Sequence, residues 1–508
     1  MRTPFHPGCS LDSSFLRQPF LALLLVALAS SSVSAQSLRR IVSDNGDPIR
    51  DACFLTEFDG KLYFRCNNLD HGNNVELWVL DGTVARMAAE IRSGPTGSDP
   101  ADFAVLNDTL YFCANNGSGP KLWQYHADSG ASIAPGAASL AGNPQALFAY
   151  AGKLYFRATR FSDIGIELWS FDGAKQTPID LYPGKGSSYP QHFIGFNGMM
   201  FFNANGAVNQ GTELWCHNGT GMPTEAARIY PNNGSSPENF AVFDGQLYFS
   251  AYDGVHGREL WRYDGSQATL AADIVPGGQY SSSNPSGLTV FGGKLYFSAT
   301  DGVHGYELWS FDGATAAMVA EINPTPDPGN GDTFLMDASP NELTVFDGQL
   351  YFSAIDGSHG RELWAYDGTA VRLVNDLNPG SYGSEVTELT VFNGALYFSA
   401  DDGYNPSLAN LEPAVFAMVA MPRATLSLEL RPAPAGGFVL VVANSDGSPV
   451  TGEQMAAIRM IKSEDPSLPV EQWQPWSGPR ILANGVIEIQ PAATAGVPRC
   501  FYRAAVTP

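Results

Sequence analysis

Three loops of this chain carry the same set of ligand-type side chains. Asp253, His256 and Glu259 recur as Asp301, His304 and Glu307 and again as Asp356, His359 and Glu362, each in the pattern Asp-Gly-x-His-Gly-x-Glu. Degenerate copies hold Asp70, His71 and Glu76, and Asp163 with Glu167. Carboxylate oxygens and an imidazole at this spacing could ligate a divalent cation. The same residues also serve turn chemistry, the aspartate accepting backbone N–H bonds and the histidine donating across the loop. Repetition once per unit is what a folding motif looks like, so turn chemistry is the primary expectation and the metal question stays open. Asp327 and Asp332 add acids to a long Pro/Gly/Asp-rich stretch, Asn323 to Pro340. They do not follow the EF-hand pattern. Ca2+ is the one candidate ion, and no cofactor is otherwise implied. No nucleophile elbow, HExxH, P-loop or dinucleotide fingerprint is present.

The elements that position these loops come from a repeat. ELTVFDGQLYFSAIDGSHGRELWAYDGTAVRLVNDLNPG, Glu342 to Gly380, is rewritten eight times along the chain. Its tryptophan falls at Trp78, Trp123, Trp169, Trp215, Trp261, Trp309 and Trp364, in steps of 45, 46, 46, 46, 48 and 55 residues. One unit reads as four strands. Leu343 to Phe346 ends in Asp347-Gly348, the strongest two-residue hairpin signal. Leu350 to Ala354 returns, the Asp356 to Gly360 loop follows, and Glu362 to Tyr366 is the third strand. Asp367-Gly368 then turns into Val371 to Leu377. The turn after each third strand is read as turn chemistry alone.

Leu350 and Phe352 face one side of the second strand and Tyr351 the other, so both faces need cover. No helix-period stretch supplies it, and other copies of the sheet must. An all-β, eight-bladed β-propeller is the arrangement in which they do so. The eighth copy has a degraded third strand, Glu412 to Phe416, without the tryptophan. Leu38 to Gly46 resembles the last strand of a unit and is expected to complete that blade. The alternative is seven blades with the eighth copy as a connector. If the first strand is innermost, the second-to-third loops and the inter-blade loops share one face, the preferred binding surface.

Phe20 to Ala29 is an apolar run too short to span a bilayer, preceded by Arg2 and Arg17 and followed by Val33-Ser34-Ala35. That reads as a signal peptide, residues 1–35, cleaved after Ala35. Residues 36–420 form the propeller, and 421–508 alternate as short strands that read as a small C-terminal β-sandwich. No transmembrane segment is indicated. The chain carries a formal net charge of −23, which makes nucleic acid and anionic membranes poor partners. A glycan or protein ligand is compatible with it, and nothing fixes the oligomeric state. Of the cysteines outside the leader, Cys53 and Cys66 flank the Asp59-Gly60 turn symmetrically. Simple hairpin register places them opposite one another, and a disulfide between them is expected in an exported protein. Cys113, Cys216 and Cys500 read as small buried hydrophobes.

The phrase LYFSAxDGxHGxELWxxDGT resembles the ELWxxDGT repeat of exported bacterial proteins, over about residues 38 to 416. The resemblance implies a propeller-like fold and export and carries no established activity. Lys121 for glutamate in the second copy, Met199-Met200 and Cys216 in the fourth, and the missing tryptophan of the eighth depart from the pattern. Quinoprotein dehydrogenases share eight blades and LW repeats, but their adjacent-cysteine pair is absent. Sialidase Asp boxes fit Ser353 to Trp364 only with extra residues. The expected function is that of a secreted or surface-exposed binding protein working through its loop face. The alternative is a polysaccharide-acting hydrolase or lyase with its site in the central channel, marked by acids and aromatics from several blades along the axis.

Overall fold

The computed structural model describes residues 36–506 apart from 47–48, 69–73, 137–141, 161–163, 207–210, 232, 325–336, 382, 404–413 and, in the C-terminal part, 421–425, 433–437, 445–457, 464–473, 476–479, 484–485 and 490–500. Every described regular element is a β-strand. Two compact units result, Leu38–Val419 and the C-terminal Ala420–Pro508.

The seventh copy shows the plan of a blade. Asn341–Phe346, Gln349–Ile355, Arg361–Tyr366 and Val371–Asn375 form an antiparallel meander in that order. Every first-to-second connection is a tight turn with both central residues in the left-handed region, as at Asp347 (φ 45°) and Gly348 (φ 72°). That geometry matches the strand twist and explains the Asp-Gly and Asn-Gly pairs. The turn after the third strand differs. There the Asp367 carboxylate caps the backbone N–H groups of Thr369 and Ala370, which is Asx-turn chemistry.

The first strands of the eight copies neighbour one another in a closed cycle, with Thr387–Phe392 of the eighth meeting Arg50–Phe58 of the first. Eight blades therefore surround an axis with the first strand innermost. Faces are covered blade against blade. Leu295, Phe297, Trp309 and Phe311 of blade 6 share one core with Phe243, Tyr248 and Leu260 of blade 5. The second-strand tyrosine meets an aromatic of the next blade at 5.7 Å for Tyr248–Phe311 and at 5.6 Å for Tyr296–Tyr366. Such pairs each contribute about 0.5–1.5 kcal/mol beyond area burial.

The ring is closed by the amino-terminal segment. Gln36–Arg40 pairs with Ala414–Ala420, the third strand of blade 8. Val42–Ser43 then runs parallel to Val84–Ala89, the outer strand of blade 1. Arg40 forms an ion pair with Asp402 and lies over the Phe416 ring. Phe416 stands where the other blades carry tryptophan, opposite Phe398. The seven-bladed alternative is thereby excluded.

One register expectation is corrected. Cys53 lies opposite Arg65, not Cys66, because two irregularities interrupt the pairing between Arg50 and Thr56. Cys66 instead sits opposite Glu76 on its other side. No disulfide is present among the described residues.

In the C-terminal unit, Leu426–Pro432, Phe438–Asn444, Val486–Ile489 and Arg480–Ala483 form one antiparallel sheet in that order. Gln474–Pro475, Ile458–Ser463 and Phe501–Val506 form a second. The leader, residues 1–35, lies outside the described residues.

Candidate functional site

The three intact Asp-His loops are built alike. In blade 5 one Asp253 oxygen accepts the backbone N–H groups of Val255 and His256, both at 2.8 Å, and the other lies 2.7 Å from His256 Nδ1. Asp301 with His304 and Asp356 with His359 repeat this, at 2.7 and 2.6 Å to Nδ1. Burial pushes each aspartate up, and the N–H and imidazole bonds more than offset it, leaving the carboxyls below their ordinary range. The aspartate bond in turn raises each histidine. With Nδ1 engaged, Nε2 is the nitrogen left for a ligand.

The glutamate of the motif does not join this pair. Glu259 is fully buried and accepts the N–H of Ile274 at 2.8 Å, the N–H of Ser283 at 2.9 Å and the Ser283 hydroxyl at 2.5 Å. Glu76, Glu167, Glu213 and Glu362 hold Ser98, Ser188, Ser235 and Ser384 in the same way. Each glutamate clamps the loop leading to the next blade. Burial raises all of them above the usual carboxylate range despite these bonds. In blade 6 the residue at the serine position is Ala338, which accepts the Ile355 N–H as Ser283 accepts that of Thr300. Glu307, held there among the described residues by Ile322 and Asn323, is pushed up to about 7, first by burial. Blade 2 has Lys121 at the glutamate position and blade 8 has Ala414.

The Asp-His pairs lie one to a blade and do not converge on a shared centre. Among the described residues, no group of three His, Cys, Asp or Glu side chains is arranged to hold a metal ion. Asp327, Asp332, Asp70, His71 and Asp163 lie outside the described residues.

The axis carries a feature that the strand reading missed. Each first strand contains a bulge, with two residues opposite one, such as between Asn341 and Thr344 or between Thr387 and Thr390. Its pivotal residue is left-handed in every blade: Phe54, Asp102, Ala146, His192, Asn239, Gly287, Glu342 and Glu388, with φ between 54° and 65°. For residues other than glycine this costs about 1–3 kcal/mol each and needs support from the surroundings. The support runs from blade to blade. Glu388 accepts the Phe54 N–H at 2.7 Å, and Glu342 that of Leu389 at 3.3 Å. Thr289 and Thr344 donate to the Leu343 and Leu389 carbonyls of the next blade. Burial raises Glu388 and Asp102 and lowers His192. Arg157 bridges Gln145 and Gln191 at 3.1 and 2.8 Å. A polar residue at the opening of successive first strands was the available signal, but period-two alternation does not mark a bulge.

On the Asp-His face, the exposed large apolar side chains among the described residues are Tyr189 (52%), on the connection from blade 3 to blade 4, Val255 (60%), Val303 (67%) and Tyr280 (91%). Val255 and Val303 tip two of the Asp-His loops. Tyr280 stands on the connection from blade 5 to blade 6.

No family model and no curated protein matches this chain. Solved structures do. A mutant puromycin hydrolase complexed with PGG aligns at 12% identity and TM-score 0.42, over 77% of this chain and 58% of the hydrolase. The chain thus spans little more than half of that enzyme's length. The β-propeller domain of the Trilobed protease from Pyrococcus furiosus aligns at 12% identity and TM-score 0.40, over 65% of this chain and 98% of that domain. An oligogalacturonate lyase in complex with manganese aligns at 14% and 0.38, over 76% and 97%.

Proposed function

We propose that this chain is an exported, extracellular or cell-surface β-propeller that acts as a binding protein through the face bearing the Asp-His loops. The observation that carries it is the set of exposed apolar tips on that face, Tyr189, Tyr280 and, beside imidazoles with an open Nε2, Val255 and Val303. The leader sequence and the resemblance to the ELWxxDGT repeat of exported proteins support export. The C-terminal unit is proposed to fold as a β-sandwich that serves as an accessory or attachment module.

The test is a binding screen of the full chain against a glycan array and isolated cell-envelope fractions. Val255→Asp with Val303→Asp should abolish retention, and Met222→Asp, exposed in a third-to-fourth-strand turn, should leave it unchanged. The reverse result places the binding surface on the other side of the ring. A second reading, a polysaccharide-acting enzyme, draws on the axial acids Asp102, Glu342 and Glu388. Glu342 and Glu388 each accept a backbone N–H from the next blade, which engages them in holding the ring. Release of reducing or unsaturated ends from a polysaccharide panel, lost in Glu388→Gln of unchanged melting temperature, would favour this second reading.

A further inference from the structure

We infer that the junction of blades 5 and 6 on the Asp-His face is a binding station for a neutral hexose glycan, with Tyr280 as its stacking platform. This rests on the loop-face reading and names the ligand class for it. Tyr280 is 91% exposed, yet the backbone that presents it is fixed on both sides. Ser281 N donates to Gly278 O at 2.9 Å, the Ser282 hydroxyl accepts the Arg258 N–H at 2.9 Å, and Glu259 holds Ser283 from below. The connection also lies directly on the Asp-His loop. A Cβ on Gly257, at φ +78°, would meet Ser281 O at 1.8 Å. A ring displayed on an ordered backbone loses little freedom on binding, which is the property of an anchor and not of a loose tip.

Two further tyrosines pack at the same Asp-His loop. The rings of Tyr230 and Tyr252 pack edge to face at 5.4 Å and 70°. Tyr230 lies against the loop at Gly254, where a Cβ would be 2.4 Å from its ring. Burial first, and then the charges of Tyr230, Tyr280 and Asp253, push the Tyr252 phenol up. Among the described residues blade 5 alone has this set. Val275 and Asn323 replace Tyr230 in the two following blades, and Thr300 and Ile355 replace Tyr252.

The polar groups fit hydroxyls. His256 presents Nε2 with its ring fixed by Asp253, Tyr252 presents a phenol, and the exposed Asp273 lies within electrostatic reach of His256. A hexopyranose offers an apolar C–H face for the Tyr280 ring and a hydroxyl rim for these donors and acceptors. The carboxylates here, on a chain of net charge −23, disfavour uronic and sialic acids.

The experiment is affinity gel electrophoresis of the full chain in gels containing glucan, mannan, galactan or polygalacturonate. At least one neutral polymer should retard the protein. Tyr280→Ala should weaken that retardation about tenfold or more, and Tyr280→Trp should restore it. Asp273→Asn should weaken it without changing the melting temperature, and Met222→Asp, on the other side of the ring, should not weaken it. Retardation unchanged in Tyr280→Ala overturns the station, and the loop-face reading then survives only if Val303→Asp abolishes it. Retardation by polygalacturonate alone overturns the ligand class. Retardation by none of the polymers overturns the inference, whereas the envelope-fraction screen still decides the loop-face reading.

Discussion

Among the described clamps, Glu307 differs from its counterparts by a single oxygen atom. Five blades give the buried glutamate a serine hydroxyl, and blade 6 offers Ala338. With its folded pKa raised to about 7, Glu307 contributes most stability below the ordinary glutamate range and loses it as pH rises through about 7. Ala338→Ser should supply the missing donor, favour the carboxylate and stabilise the fold by about 1.5 kcal/mol at pH 8. Much less gain should be seen at pH 5, in urea unfolding followed by tryptophan fluorescence. An equal gain at both values would mean that the hydroxyl acts by packing and not on Glu307. The clamp was half legible in the sequence. The ELW glutamate was visible as a repeat, but its serine lies beyond a connection of variable length, so no fixed spacing ties the two.

At the scale of the strand, what could be read was what local chemistry determines. The Asp-Gly hairpins, the aromatic second strands and the ELW third strands occur where the repeat placed them, because turn conformation and two-sided burial are properties of a few adjacent residues. The first strand was harder. Its bulge depends on N–H groups donated by, and accepted from, the neighbouring blade, so the Cys53–Cys66 register failed at the point where Phe54 turns left-handed. The amino-terminal strand was legible because it carries the pattern of a last strand and the eighth copy lacks one. Its removal makes a test: a chain beginning at Asp44 keeps the contact of Ile49 and Arg50 with Val415 and Ala414 but leaves the rest of Ala414–Ala420 with an unpaired edge. The melting temperature should fall by about 4 °C or more, and size-exclusion chromatography should show concentration-dependent self-association. An unchanged monomer of unchanged melting temperature would mean that the strand does not close the ring.

For the whole molecule, the buried acids set the pH response. Glu76, Glu167, Glu213, Glu259, Glu307, Glu362, Glu388 and Asp102 are all raised by burial, so folding takes up protons and their contribution declines as pH rises above the ordinary carboxylate range. The three loop histidines, raised by their aspartates, act in the same direction above the ordinary histidine range. Asp253, Asp301 and Asp356 are depressed, so their contribution is present above the ordinary aspartate range and is lost under strong acid. The melting temperature should therefore peak near about pH 5 and decline toward pH 8, with self-repulsion of a net charge of −23 adding to the decline. Scanning calorimetry across that range checks it, and a rising profile would contradict the burial of these carboxyls.

The contact between Arg40 and Asp402 joins positions 362 residues apart in the chain. During synthesis Gln36–Arg40 is among the first described segments to emerge, and Ala414–Ala420 is among the last segments of the ring. The earliest strand must therefore wait, without a partner, for nearly the whole circle to be made. Final assembly becomes a late event of long loop closure, and a chain interrupted before Ala414 is left as an unfastened band.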